Sequence, residues 1–244
     1  MDKVLFCIPT LFKNPEKTIR CVQQLLNQCE KNNIEYKIFV VSNIEDASFS
    51  SWDTGVEEVE KVVSGLEYSI AKALNVTIDK YDADFFVFIQ DDMLVNDDKW
   101  IENFIKIYKN KDLNCGVLGL TSRWGADYYR SVITSDLPYR LEELLWSDGV
   151  MFFSTKLLDS VGKFDERYFG DKESQDFCYR ALQAGYINYR VNTDLCTHDS
   201  TPFNKKVNES KREEFIQKVT ETRKLFNSKW QKWEQEMVKI GVKK

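Results

Sequence analysis

Three short apolar runs, VLFCI at residues 4–8, YKIFVV at 36–41 and FFVFI at 85–89, lack the in–out alternation of a strand with one wet face. Each is too short for a buried helix, and each is rich in β-branched or aromatic residues, which favour strands. A strand that is apolar at nearly every position is covered on both faces. A sheet covered on both faces is mostly parallel, with helices packed above and below it. These runs therefore predict an α/β fold with a mostly parallel, Rossmann-like sheet.

The sequence between the runs fits that plan. Pro9 is expected to close the first strand, and Pro15 to open a helix reaching about Lys31, since proline is favoured in the first helical turn. Val59, Val62, Val63, Leu66, Ile70, Ala73 and Leu74 recur at helical spacing and predict one long helix over residues 56–79. Further on, a helix is expected over 100–108, strands over 116–120 and 147–154, and a short helix over 156–161. The stretch SRWGADYYR (122–130) reads as an aromatic loop, and the chain from Asn208 onward as a long polar helix. The expected organisation is one domain over residues 1–204 and a basic, amphipathic helical extension over 205–244.

Composition narrows the class. With 244 residues, 43% of them hydrophobic, the chain can bury one sizeable core. It holds no apolar run near 18 residues, so no membrane span is expected, and the N-terminal apolar run is too short for a signal peptide. The six cysteines form no CxxC pair and read as reduced core residues of a cytoplasmic protein. On that reading the sequons at Asn75 and Asn208 are incidental. Charge is divided: residues 205–244 carry +6 and the rest −11, the latter arguing against nucleic acid as a partner. In the extension, Phe226, Trp230, Trp233, Met237 and Ile240 form one apolar stripe. It is expected to pack on the main domain, the other readings being a homodimer seam and a peripheral membrane contact through the flanking lysines.

In a doubly wound sheet ligands collect at the carboxyl ends of the strands. That rim should hold Pro9 and Thr10, Ser42 and Asn43, and the adjacent carboxylates Asp91 and Asp92. Downstream come Glu173 and Asp176, and then the only histidine, His198. Oxygen ligands with one imidazole suit Mn²⁺ or Mg²⁺ better than zinc. With neither a GxxxxGK[ST] nor a GxGxxG loop in the sequence, a metal is the expected means of neutralising bound phosphates. Each feature also has a bland reading: a turn, a satisfied histidine, acids at a helix start.

Five segments, taken in order, resemble the glycosyltransferases of the GT-A fold, and family 2 in particular. VLFCIPTLFKNPEKTIRCVQQLL resembles the family's first strand, Pro-Thr turn and helix. SIAKALNVTIDKYDADFFVFIQDD resembles the helix and strand that end in its DxD-type motif. GVMFFSTKLLDSVGKFDERYF, ESQDFCYRALQAGY and THDST resemble the segments around its catalytic acid and its later metal-binding histidine. The resemblance implies a metal-dependent, inverting transferase moving a sugar from a nucleotide diphosphate sugar, a UDP-sugar foremost, to a hydroxyl of a glycan or other acceptor. It implies Asp92 and His198 as ligands of Mn²⁺ or Mg²⁺. It implies Pro9, Thr10, Asn43, Asn75, Asp91 and Asp148 in donor binding, with Trp146 beside the sugar. Two positions depart from the pattern. Ser42 and Asn43 stand where an acid grips the nucleoside, and Ser174 stands where the usual catalytic aspartate would be. Glu173 and Asp176, with Asp171 behind them, are the candidate bases in its place. A retaining enzyme without a base and a non-catalytic nucleotide-sugar binder are the alternatives. A nucleotidyltransferase is disfavoured, because IPTLFKNPEK contains no glycine.

Overall fold

The computed structural model describes residues 2–43, 46–65, 69–120, 132–133, 137–191, 195–199 and 212–239. In chain order the elements are β1 (Lys3–Thr10), α1 (Pro15–Lys31), β2 (Glu35–Ser42), α2 (Ala47–Ser51), β3 (Val59–Val63), α3 (Ile70–Ile78) and β4 (Phe85–Ile89). Then come β5 (Met93–Val95), α4 (Trp100–Lys109), β6 (Cys115–Leu120), β7 (Val132–Ile133), β8 (Leu141–Leu144) and β9 (Val150–Ser154). The last are α5 (Thr155–Val161), α6 (Glu173–Gln183), β10 (Ile187–Val191), β11 (Cys196–His198) and α7 (Arg212–Lys239). The expected aromatic loop at 122–130 lies outside the described residues.

The main sheet runs β3-β2-β1-β4-β9-β6-β10-β8-β7. Only β9 and β8 oppose the common direction, so the sheet is mostly parallel, as the apolar runs require. Successive residues of β1 divide between two cores. Val4, Phe6 and Ile8 pack on one face with Cys21, Val22 and Leu25 of α1 and Trp100 and Phe104 of α4. Leu5 and Cys7 pack on the other with Ala71 and Leu74 of α3 and Phe177 of α6. β4 divides likewise, Phe85, Val87 and Ile89 against Phe86 and Phe88. Burying a large apolar side chain stabilises by about 1.5–3 kcal/mol, so each of these strands is anchored twice over.

Two expectations are corrected. Residues 56–79 are not one helix: Val59–Val63 pairs with β2 as an edge strand, and α3 starts only at Ile70, capped by the Ser69 hydroxyl. A valine-rich stretch satisfies a helical pattern, but β-branched side chains also fit a pleat, and here β2 supplies a partner. Pro9 does not end β1, which stays paired with β2 as far as Thr10. Its pairing with β4 stops at Cys7, so the proline, which has no N–H to give, falls where the strand has one neighbour only.

The extension is docked as expected. Phe226 and Trp230 of α7 are buried against Tyr168, Tyr179 and Leu145, with Trp233 and Met237 packed alongside. That contact uses Phe226, Trp230, Trp233 and Met237 of the apolar stripe; Ile240 lies outside the described residues. Among the described residues no helix is long and apolar enough to cross a membrane.

Candidate active site

β4 ends at Ile89, and the turn that follows carries Asp91 and Asp92 at the carboxyl rim of the sheet. Asp91 is tied to the neighbouring β1. Thr10 Oγ1 donates to Asp91 Oδ2 at 2.5 Å, and Thr18 Oγ1 of α1 lies 3.2 Å from the same oxygen. The two hydroxyls are 3.1 Å apart, and the Phe12 amide donates to Thr10 Oγ1. Thr18 was not singled out from the sequence. The available signal was a polar residue on the buried face of α1, in line with Cys21, Val22 and Leu25.

A second, two-stranded sheet completes the rim. β11 runs antiparallel to β5 with His198 opposite Met93, which sets His198 Nε2 3.3 Å from Asp92 Oδ1. The Asp199 amide donates to the Asp92 carbonyl at 2.9 Å, and the Asp199 carboxylate is gripped by Lys17 and Arg20 of α1. Asp92 is almost fully buried, 5% exposed. Thus the two residues expected to hold a metal do meet. Among the described residues no three His, Cys, Asp or Glu side chains gather into a complete metal cage. The donor pair does fit a shared ion. An octahedral ion about 2.1 Å from its ligands sets adjacent ligands roughly 3 Å apart, close to the spacing seen.

The third group lies beyond β4. Gly149, with φ +80°, makes the turn into β9 in a conformation favouring glycine, and its carbonyl accepts from the Gln90 amide. This holds Asp148 beside the rim: its Oδ1 accepts from the Gly149 amide at 2.7 Å, and the Ser174 hydroxyl lies 3.5 Å away. The surface of Asp148 is open to solvent, yet protein atoms crowd its carboxyl and raise it above the usual carboxylate range. The Gly149 amide acts against that rise.

Glu173 opens α6 and is 5% exposed. Burial pushes its carboxyl up to about 8. Its own backbone amide opposes the rise, and Asp148 and Asp171 add to it. Among the described residues its Oε2 is buried with no hydrogen-bond partner. A raised carboxyl with one unpaired oxygen next to a polar rim is what a proton acceptor needs.

Asp176 is a correction. It was expected beside Glu173 as a base, but it is fully buried and its oxygens are taken. Oδ1 accepts from Tyr168 Oη, Lys229 Nζ and Trp230 Nε1 at 3.1, 2.7 and 2.8 Å, and Oδ2 from Arg180 Nε at 2.8 Å. With both oxygens engaged by cations and buried donors, it ties α6 to α7 and leaves no oxygen facing the rim.

The remaining candidates divide. Thr10 and Asp91 stand together at the rim. Pro9 is in register with Val41 inside the sheet. Asn43, 4% exposed, gives its amide to Ser64 Oγ and the Ser69 carbonyl, and so joins β2 to the start of α3. Asn75 staples α3 to the loop after α5, donating to the Phe164 carbonyl and accepting from the Phe164 amide at 2.8 and 3.1 Å. As placed, both asparagines brace the fold. Trp146 packs between the core of α3 and α6 and the cluster under α7.

No family model matches the sequence, and no curated protein matches it. Solved structures do match in fold. The catalytic domain of Drosophila β1,4-galactosyltransferase 7 in complex with xylobiose aligns over 86% of this chain and 75% of its own, at 15% identity and a TM-score of 0.58. A mutant of that enzyme, in complex with manganese, UDP-Gal and xylobiose, aligns over 88% and 79%, at 14% identity and a TM-score of 0.54. A mannosyltransferase from Pyrobaculum calidifontis, in complex with GDP-Man and Mn²⁺, aligns over 82% of this chain and 57% of its own, at 14% identity and a TM-score of 0.60. At such identities the likeness is one of fold, and the chain has the GT-A fold of these glycosyltransferases.

Proposed function

We propose that the protein is a metal-dependent glycosyltransferase that moves a sugar, with inversion, from a UDP-sugar to a hydroxyl of a glycan or similar acceptor. The observation that carries this reading is the meeting of Asp92 and His198 at the carboxyl rim, 3.3 Å apart. Two structures of the same fold were solved with Mn²⁺ and a nucleotide sugar, UDP-Gal in one and GDP-Man in the other. Here Asp92 and His198 would hold Mn²⁺ or Mg²⁺, which when bound neutralises charge on the leaving diphosphate. Asp91, held by Thr10 and Thr18, flanks that position.

Glu173 takes the chemical role. It receives the proton of the acceptor hydroxyl while that oxygen bonds to the anomeric carbon and the bond from that carbon to the diphosphate breaks. Ser174 cannot take this proton, since a neutral hydroxyl is no base; its contact with Asp148 gives it an orienting part. Burial around Glu173 keeps the carboxyl basic enough to accept a proton near neutral pH.

The test is a screen of UDP-, GDP- and CMP-sugars with and without Mn²⁺, read by thermal shift, by release of nucleotide and by NMR of the product anomer. Stabilisation by a UDP-sugar only with metal, and an inverted product, are expected. Failure of every donor to bind would remove the transferase reading. Binding without release would leave a nucleotide-sugar binder, and a retained anomer would remove the base.

A further inference from the structure

The turn that leads into Glu173 is built in an unusual way. Lys172, the residue before it, has φ +77°, a left-handed conformation costly for a side chain with a Cβ. Locally, Lys172 Nζ donates to Gln175 Oε1 at 2.6 Å and its carbonyl accepts from the Asp176 amide, but Lys172 makes no side-chain cap to α6. The turn is also held from α7, about fifty residues downstream. Thr222 Oγ1 accepts from the Phe169 amide at 2.9 Å, and Arg223 Nε donates to Asp171 Oδ2 at 2.6 Å. Lys172 Nζ sits 5.2 Å from the centre of the Phe226 ring, and Lys229 and Trp230 grip Asp176 one turn into α6. Contacts from one face of α7 therefore fall on residues 169, 171, 172 and 176, on both sides of Glu173.

We infer that α7 is a positioning element of the transfer site, and that its Arg223–Asp171 pair sets both the placement and the charge environment of Glu173. The inference rests on the proposed role of Glu173 for its functional meaning, though not for its test. The charged groups facing Glu173 are Asp148 from the approach to β9 and Asp171 and Lys172 from its own turn. From α7, Arg223 reaches them through Asp171, and Lys229 is engaged with Asp176. Of these links, the Arg223 pair is the one that can be cut without opening the core, because Arg223 is 62% exposed and Asp171 26%.

The experiment is carbon-detected NMR titration of the Glu173 carboxyl, assigned with Glu173→Gln, in the full chain and in three variants. In Arg223→Ala the unpaired Asp171 charge should move the Glu173 midpoint up by roughly half a pH unit. Arg223→Lys should restore most of the wild-type value, and Lys224→Ala, on the exposed side of α7, should leave it unchanged. An Arg223→Ala protein that titrates as wild type would overturn the inference, as would an equal shift in Lys224→Ala. Where transfer is measurable, the rising limb of its pH–rate profile should move with the midpoint. If no nucleotide sugar is turned over by the wild type, the proposed function fails while the carboxyl titration still decides the part played by α7.

Discussion

His198 Nε2 stands 3.3 Å from Asp92 Oδ1 because β11 returns antiparallel to β5, the three-residue strand that directly follows the aspartate pair. Lys17 and Arg20 of α1 then hold Asp199, so the strand bearing the imidazole is fastened on both sides. A side chain placed by two independent ties is preorganised for a ligand that pays no ordering cost on arrival.

Mn²⁺ affinity should therefore depend on both partners. His198→Ala and Asp92→Asn are each expected to weaken Mn²⁺ binding by at least roughly tenfold, read by calorimetry on the protein alone. Unchanged affinity in either variant would remove that residue from the metal site.

Glu173→Gln should lower transfer by about 10²–10⁴-fold with little change in donor binding, because it removes the proton acceptor and keeps the shape. The wild-type rate should climb as pH rises through about 8, as the carboxylate form appears. Stability runs the other way. The native carboxyl titrates above its ordinary 4.5, so folding becomes less favourable as pH rises from there to about 8, by on the order of a few kcal/mol. Urea melts at pH 5 and pH 8.5 should show the Gln variant gaining on the wild type at the higher pH.

Asp176→Ala is expected to act on folding. Removing it takes one acceptor from Arg180, which keeps the Val161, Gly162 and Lys163 carbonyls, and the acceptor of Lys229 and the Trp230 N–H; breaking a buried ion pair costs roughly 3–5 kcal/mol. Equilibrium unfolding together with protease sensitivity of α7 would register both the loss and the loosened helix. A variant as stable as wild type but inactive would return Asp176 to the chemistry.

Gly119 on β6 has no room for a methyl group. A Cβ there would fall 1.8 Å from Ser147 Oγ and 2.5 Å from Ser147 Cβ. Ser147 is fully buried at the approach to Asp148, so it has nowhere to retreat. Gly119→Ala should cost about 1–3 kcal/mol in chemical denaturation. It should also disturb Asp148, visible as weakened donor binding.

The placement of the aspartate pair at a sheet's carboxyl rim was legible because unalternated apolar runs have few ways to be buried. β1, β2, β4 and α1 emerge close to their expected bounds for that reason. The valine-rich stretch before α3 was misjudged because its pattern fits a helix or an edge strand, and only the neighbouring β2 decides between them.

The sequence by itself determined the fold class, the rim and the set of acids and imidazole from which a site could be built. Local periodicity and residue chemistry carry that information. Tertiary structure alone decided how differently two of those acids are placed. Glu173 and Asp176 are three residues apart and chemically alike, yet one is buried with an unpaired oxygen and the other is met by Lys229 and Trp230 from α7. A carboxylate's role is set by the donors and the solvent around it, and here those come from another part of the chain.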